Sequence, residues 1–412
     1  MFFGWKVVAT AFTIAMFAWG FGFYGPSVFL NTLHQQRGWS VSVISTAITV
    51  HYLVSAALTA RLRSTHRQFG LAAVTRFGLA ALSLGSVGWS MATAPWQLFV
   101  AAVVTGMGWS ATNAAAINAM VAPWFDRRRA LALSHAFTGS SVGGLVFTPL
   151  WVLLIAHFGF TEAAVLMTLL TLAVSFPLIR RYLAVTPAAM GLRPDGNAGV
   201  AMVTRSESEP SLSFTTLLYD RRFVTISSAF ALGLFAQIGL VAHMVTRLAP
   251  VFGVANAAAA VSLTTGCAVL GRYLLGVMMS ADPRLAAMVN FWMQAAGATC
   301  LAFGTGPAVL LLGCVLFGLG VGNLVLLSPL IAQREFPSSE VPHIVALVTS
   351  VNISVFAFAP ALFGLLSETS GSYETPFLLA AAVQVIAGVI VMLGHRNIMP
   401  RAQSGSAIPP AR

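Results

Sequence analysis

Three groups that could do chemistry stand well inside long apolar runs of this chain: the guanidinium of Arg272 and the imidazoles of His243 and His51. An arginine stays ionised there, and its planar fork matches a carboxylate in two parallel hydrogen bonds. A histidine can donate to the same carboxylate, or load and unload a proton near neutral pH. The acids are all elsewhere: Asp126, Glu162, Asp195, Glu207, Glu209, Asp220, Asp282, Glu335, Glu340, Glu368 and Glu374 fall outside the apolar runs. That leaves no intramembrane carboxylate to titrate, and no paired acids or His-Glu-x-x-His arrangement for hydrolysis. No Gly-x-x-x-x-Gly-Lys loop exists, because the only lysine is Lys6. Cys267, Cys300 and Cys314 are an odd, apolar set that forms neither a disulfide framework nor a metal spacing. No metal or cofactor is expected.

The elements that must position these groups are membrane helices. Of 412 residues, 58% are apolar and only 8% charged, and the mean hydropathy is +0.84. Soluble domains carry about 25% charged residues, so a soluble enzyme, a nucleic-acid binder and a disordered scaffold are excluded. At about 20 residues per span, the apolar residues fill about twelve helices. Breaking the runs at charge and turn clusters predicts spans at 7–31, 41–60, 70–92, 96–122, 130–156, 162–180, 223–248, 255–280, 285–304, 307–332, 343–366 and 376–394. The first is too long for a leader core and reads as a retained helix.

The net charge of +11 has a membrane explanation. With a cytoplasmic N-terminus, 18 of the 22 cationic residues fall on the cytoplasmic side, only Arg37 and Arg247 fall outside, and Arg76 and Arg272 lie within spans. That asymmetry predicts both termini in the cytoplasm of a multi-pass plasma-membrane protein, the inner membrane if the source is bacterial. The chain divides into a six-helix half over 1–180, a polar cytoplasmic linker over 181–222, a second six-helix half over 223–395 and a cytoplasmic tail over 396–412. The halves look like copies. Phe125 and Pro149 recur as Phe336 and Pro360, and Gly106-Met-Gly108 recurs as Gly318-Leu-Gly320. The expected fold is therefore all-α, with two parallel, pseudo-symmetric halves about an axis along the membrane normal.

Twelve helices around a central cytoplasmic loop resemble the major facilitator superfamily, and finer patches resemble its monocarboxylate and oxalate/formate porter branch with its bacterial relatives. These patches are Gly22-Phe-Tyr-Gly-Pro-Ser27, Trp124-Phe-Asp-Arg-Arg-Arg-Ala-Leu-Ala132, Gly191-Leu-Arg-Pro-Asp-Gly196, Gln237-Ile-Gly-Leu-Val-Ala-His243 and Gly271-Arg-Tyr-Leu-Leu-Gly276. The resemblance implies a substrate-binding role for Arg272 and makes Asn113 a substrate contact. Three departures stand out. Arg61-Leu-Arg-Ser-Thr-His-Arg67 keeps the cations of the family's loop signature but lacks its Asp and Gly. Gly139, Gly143 and Gly144 lack the Pro that follows them in the antiporter signature. Ala268 stands where proton-coupled relatives carry an Asp.

The sequence leaves alternatives open at each candidate. Arg272 reads as a substrate ligand or as an arginine snorkelling to the headgroups. His243 and His51 read as proton carriers or as hydrogen-bonded core histidines. Tyr24, Tyr52, Asn113, Gln237 and Asn352 could complete a substrate cavity, or bond helix to helix. The expectation is a secondary active transporter of small organic anions, mono- or dicarboxylates, working by alternating access as a monomer in the lipid bilayer, with a coupling proton or counter-anion and no nucleic-acid partner. The alternatives are a drug or metabolite exporter of the same fold, and a non-transporting receptor.

Overall fold

The computed structural model describes residues 2–196, 214–278, 282–337 and 340–394. The middle of the predicted linker, with Arg205, Glu207 and Glu209, and the predicted tail 396–412 lie outside the described residues. Within them are twelve helical segments long and apolar enough to cross a membrane. They are Phe3–Arg37, Val41–Thr59, Leu71–Met91, Pro95–Trp124, Leu131–Phe158, Phe160–Tyr182, Arg221–Phe252, Val254–Arg272, Pro283–Phe303, Pro307–Glu335, His343–Ser370 and Glu374–Leu393, referred to below as the first to twelfth spans. All are α-helical, and no strand occurs among the described residues.

Most spans run a few residues past the boundaries read from hydropathy. Polar termini explain this, because a helix can continue beyond the hydrocarbon core wherever its orphan N–H and C=O groups are capped. Ser40 Oγ accepts from Val43 N at the second span, and the Asp220 and Asp282 carboxylates accept from Arg222 N and Arg284 N at the seventh and ninth. Four spans are broken internally. The first parts at Phe23–Tyr24, just before Pro26, and the fourth parts at 111–113, where Asn113 caps the helix that resumes at Ala114. The tenth breaks at Val321–Gly322, where Gly322 takes a φ of 83°. The eleventh breaks at Ala357–Phe358, ahead of Pro360.

The internal repeat is visible in the packing. In the first half, span one lies against five, two against four and three against six; in the second half, seven lies against eleven, eight against ten and nine against twelve. The matching glycines mark corresponding close approaches. Gly106 sits on the His51 carbonyl of span two and Gly318 on the Thr264 carbonyl of span eight. Gly108 faces Leu82 in span three and Gly320 faces Gln294 in span nine. Any side chain at these four sites would push the helices apart, which is how small residues let membrane helices approach. Gly139 and Gly143 do the same against the backbone of Phe12 and Met16. Between halves, span two meets eleven, five meets eight and one meets seven.

Two cations that look like loop or interface residues are tied into the fold. Arg284 is 1% exposed: Nε and Nη2 hold the Glu335 carboxylate at 2.5 and 2.7 Å, while Nη1 donates to Thr225 Oγ1 and the Val391 carbonyl. It joins spans seven, nine, ten and twelve at the end of the bundle that carries the termini. Arg247 caps the C-terminal end of span nine through the carbonyls of Leu301, Ala302 and Gly304.

Candidate functional site

The broken helices and close-packed glycines leave a cavity of about 170 Å³ between the halves. Its lining runs from the middle of the spans towards the termini: Trp19 to Tyr24 near the middle of span one, Ser134 to Ser141 in span five and Thr349 to Phe356 in span eleven. The two walls differ. The first half contributes rings, namely Trp19, Phe23, Tyr24, Tyr52, Trp109 and Phe137, with Ser55, Asn113, Ser134, Ser140 and Ser141 between them. The second half contributes Arg272, Gln237, Asn352, Ser328 and Thr349 among aliphatic side chains, together with the ring of Phe356. Among the described residues, Arg272 is the only cation in the lining, and neither an acid nor a histidine lines it.

Three polar atoms of the second-half wall are buried and unpartnered: Arg272 Nη1, Gln237 Oε1 and Asn352 Oδ1. Buried polar atoms are nearly always paired, so three orphans on one wall mark a place where a polar ligand or water completes the bonding. The oxygen and nitrogen of each amide can exchange places by rotation, so Gln237 and Asn352 can offer either a donor or an acceptor. Gly322 sets the guanidinium position. A Cβ there would come within 2.7 Å of Arg272 Nη2, so only glycine lets the fork lie against this backbone.

The remaining predicted residues are distributed unevenly. Tyr52 lines the cavity, donates to the Gly22 carbonyl at 3.3 Å and meets Phe356 edge-on at 5.7 Å. Asn113 lines it too, but its amide is engaged: Oδ1 accepts from Ala115 N and Ala116 N, and Nδ2 donates to Thr59 Oγ1. His51 does not line the cavity; Nδ1 lies 2.9 Å from Thr105 Oγ1, with the ring between Tyr52 and Trp109.

His243 is fully buried and also lies outside the cavity, in the contact between the halves remote from the termini. Its Nε2 donates to the Pro360 carbonyl at 3.0 Å and lies 3.4 Å from Ser45 Oγ, and Nδ1 faces the Tyr373 hydroxyl at 3.4 Å. Burial pushes the Tyr373 hydroxyl up to about 12, so it remains a donor. Around this histidine, Ser27 Oγ accepts from Val245 N, Thr49 Oγ1 accepts from Ala361 N, and Ser42 donates to Glu368. These bonds cross from one half to the other and close the side opposite the termini. The structure thus brings Arg272 together with Gln237, Asn352, Tyr24, Tyr52 and Asn113, and separates it from both histidines.

Sequence reasoning found Tyr24 and Tyr52 but missed the rest of the aromatic wall, Trp19, Phe23, Trp109 and Phe137, and the role of Glu368. The rings had no charge to flag them in a chain with 29 Phe and 9 Trp. Glu368 was counted only as an acid outside the apolar runs.

A mostly apolar cavity between two six-helix repeats, with one buried cation in its wall and closed on one side, has the architecture of a membrane transporter. The chain belongs to the Major Facilitator Superfamily, whose family model matches residues 10–352. Among curated relatives, it is 26% identical to the MFS transporter asaE of Aspergillus flavus, over 75% of this chain and 67% of that one. It is 25% identical to human Monocarboxylate transporter 11, over 96% and 84%, and 27% identical to rat Monocarboxylate transporter 3, over 94% and 79%. Among solved structures, the nucleoside transporter NupG superposes with a TM-score of 0.66 at 12% identity, covering 96% of this chain and 99% of that one, which supports the fold alone.

Proposed function

We propose that this protein is a secondary active transporter of small organic anions, mono- or dicarboxylates, that binds the carboxylate at Arg272 and works by alternating access. The observation that carries this reading is the buried, unpartnered Nη1 of Arg272, the single cation among the described residues of the cavity. A cation is costly inside a membrane and is retained where it meets a counter-charge in the transport path. An incoming carboxylate supplies that counter-charge, with Gln237 and Asn352 as flanking partners. The monocarboxylate relatives at about 25% identity support the same class. A cationic drug, the alternative cargo for this fold, would meet Arg272 with no acid to offset it.

The charge asymmetry of the loops supports cytoplasmic termini in the plasma membrane. The cavity then faces inward, behind a seal on the outer side. A proton coupled through His243 acts on that seal, since the histidine does not line the cavity; exchange against a counter-anion needs no titrating group.

The test is carboxylate uptake into proteoliposomes by wild type, Arg272→Lys and Arg272→Ala at equal reconstituted amounts. Arg272→Lys keeps the charge and loses the fork, so uptake should fall sharply in both variants. Wild-type uptake by Arg272→Ala would overturn the assignment.

A further inference from the structure

We infer that the substrate is a monocarboxylate carrying a single aromatic ring, whose carboxylate binds the second half at Arg272 while its ring packs on the first half. The inference rests on the anion reading above and narrows it by number of charges, shape and size.

Charge comes first. A dicarboxylate brings two anionic ends, and only one cation lines the cavity among the described residues. The second carboxylate would have only neutral hydroxyls and amides such as Ser134, Ser140 and Ser141 to meet, without a counter-charge, an arrangement that desolvation opposes. The opposing surface is aromatic. Trp19 and Trp109 meet edge to face at 4.8 Å, and Trp19 stands 6.3 Å from Phe137 at 80°. Nearly perpendicular rings expose both an edge and a face, the two surfaces on which a further ring packs best. A two- or three-carbon acid has no ring to pack on that wall.

Size agrees with one ring. The cavity is about 170 Å³, close to the ~150 Å³ of an engineered apolar cavity that takes up benzene. Division of the site between halves also gives a mechanism. A ligand with both a carboxylate and a ring bridges the two walls, whereas a ligand with only one of these groups holds one wall and gives no binding energy for drawing the halves together.

The test measures binding to the purified full-length protein by quenching of tryptophan fluorescence and by thermal shift. The probes are benzoate, phenylacetate, propionate, succinate, cyclohexanecarboxylate and the neutral benzamide. Benzoate or phenylacetate should bind about tenfold or more tightly than propionate or succinate, and more tightly than cyclohexanecarboxylate. Trp19→Leu and Phe137→Leu should each lose much of that preference, with their ligand-free melting temperatures reporting that they fold. Propionate or succinate binding as tightly as benzoate would overturn the ring and leave the anion reading standing. Cyclohexanecarboxylate matching benzoate would overturn the aromatic requirement. Benzamide matching benzoate, or binding by none of the carboxylates, would overturn the anion reading itself.

Discussion

The carboxylate of Glu368, near the end of the eleventh span, accepts from both the backbone N and the Oγ of Ser42, at 3.0 and 2.5 Å, in the first turn of the second span. An acid of one half thereby caps a helix N-terminus of the other, where the exposed N–H groups favour negative charge. In the proposed alternating-access cycle this bond breaks when that side opens. Glu368→Ala should weaken the seal by about 1.5 kcal/mol, shifting the open-to-closed ratio about tenfold. In a background with the three native cysteines changed to Ser, thiol labelling of Thr49→Cys should accelerate correspondingly. Unchanged labelling would show that Glu368 does not hold the seal.

His243 lies in that same seal, outside the Arg272 cavity. His243→Phe keeps an aromatic ring beside Phe363 and removes the bonds to Pro360, Ser45 and Tyr373. Carboxylate affinity in the cavity should stay within about threefold of wild type, while transport falls because the seal no longer forms properly. A tenfold loss of affinity in a titration of the purified variant would return His243 to the binding site.

Gly322 has a φ of 83° and lies against the Arg272 guanidinium. Gly322→Ala strains a left-handed backbone by about 1–2 kcal/mol and displaces the fork. The expected result is a modest drop in melting temperature with a roughly tenfold loss of carboxylate affinity. Melting and titration of the same sample separate the two effects.

Arg284 and Glu335 form a pair whose side chains are 1% and 15% exposed. Arg284→Met leaves Glu335 without its counter-charge and should destabilise the protein by about 3–5 kcal/mol. Adding Glu335→Gln should restore much of that loss, because neither charge is then left unpaired. A double-mutant cycle by thermal melting in detergent checks the coupling.

Asp195 accepts from the backbone N–H groups of Asp126, Arg127 and Arg128, joining the start of the linker to the loop after the fourth span. Slight burial raises its carboxyl, but these donors and the nearby Arg128 outweigh that and hold it below the usual carboxylate range. A depressed value means the contact is fully present above pH ~4 and is lost as pH falls through the lower, folded-state value. Because the carboxylate stays ionised between pH ~6 and ~8, the contact should slow tryptic cleavage after Arg127 to the same extent across that range. Asp195→Asn should speed it several-fold at neutral pH.

Composition and periodicity alone determined the membrane class, the twelve spans and the repeat, because a bilayer imposes a length and an apolarity that each helix must satisfy by itself. Arg272 was legible for the same reason: a charge inside an apolar run is conspicuous without any neighbour. What tertiary structure decided was which groups share a space. His243 and Arg272 look like partners when each is counted as close to the membrane midplane, but they lie on opposite sides of it, which puts one in the seal and the other in the cavity. Asn113 looks like a free amide until the break in its helix shows it capping Ala115 and Ala116. The aromatic wall and the Glu368–Ser42 bond join spans far apart in sequence, so no local pattern encodes them. Such contacts exist only once both halves have folded and met.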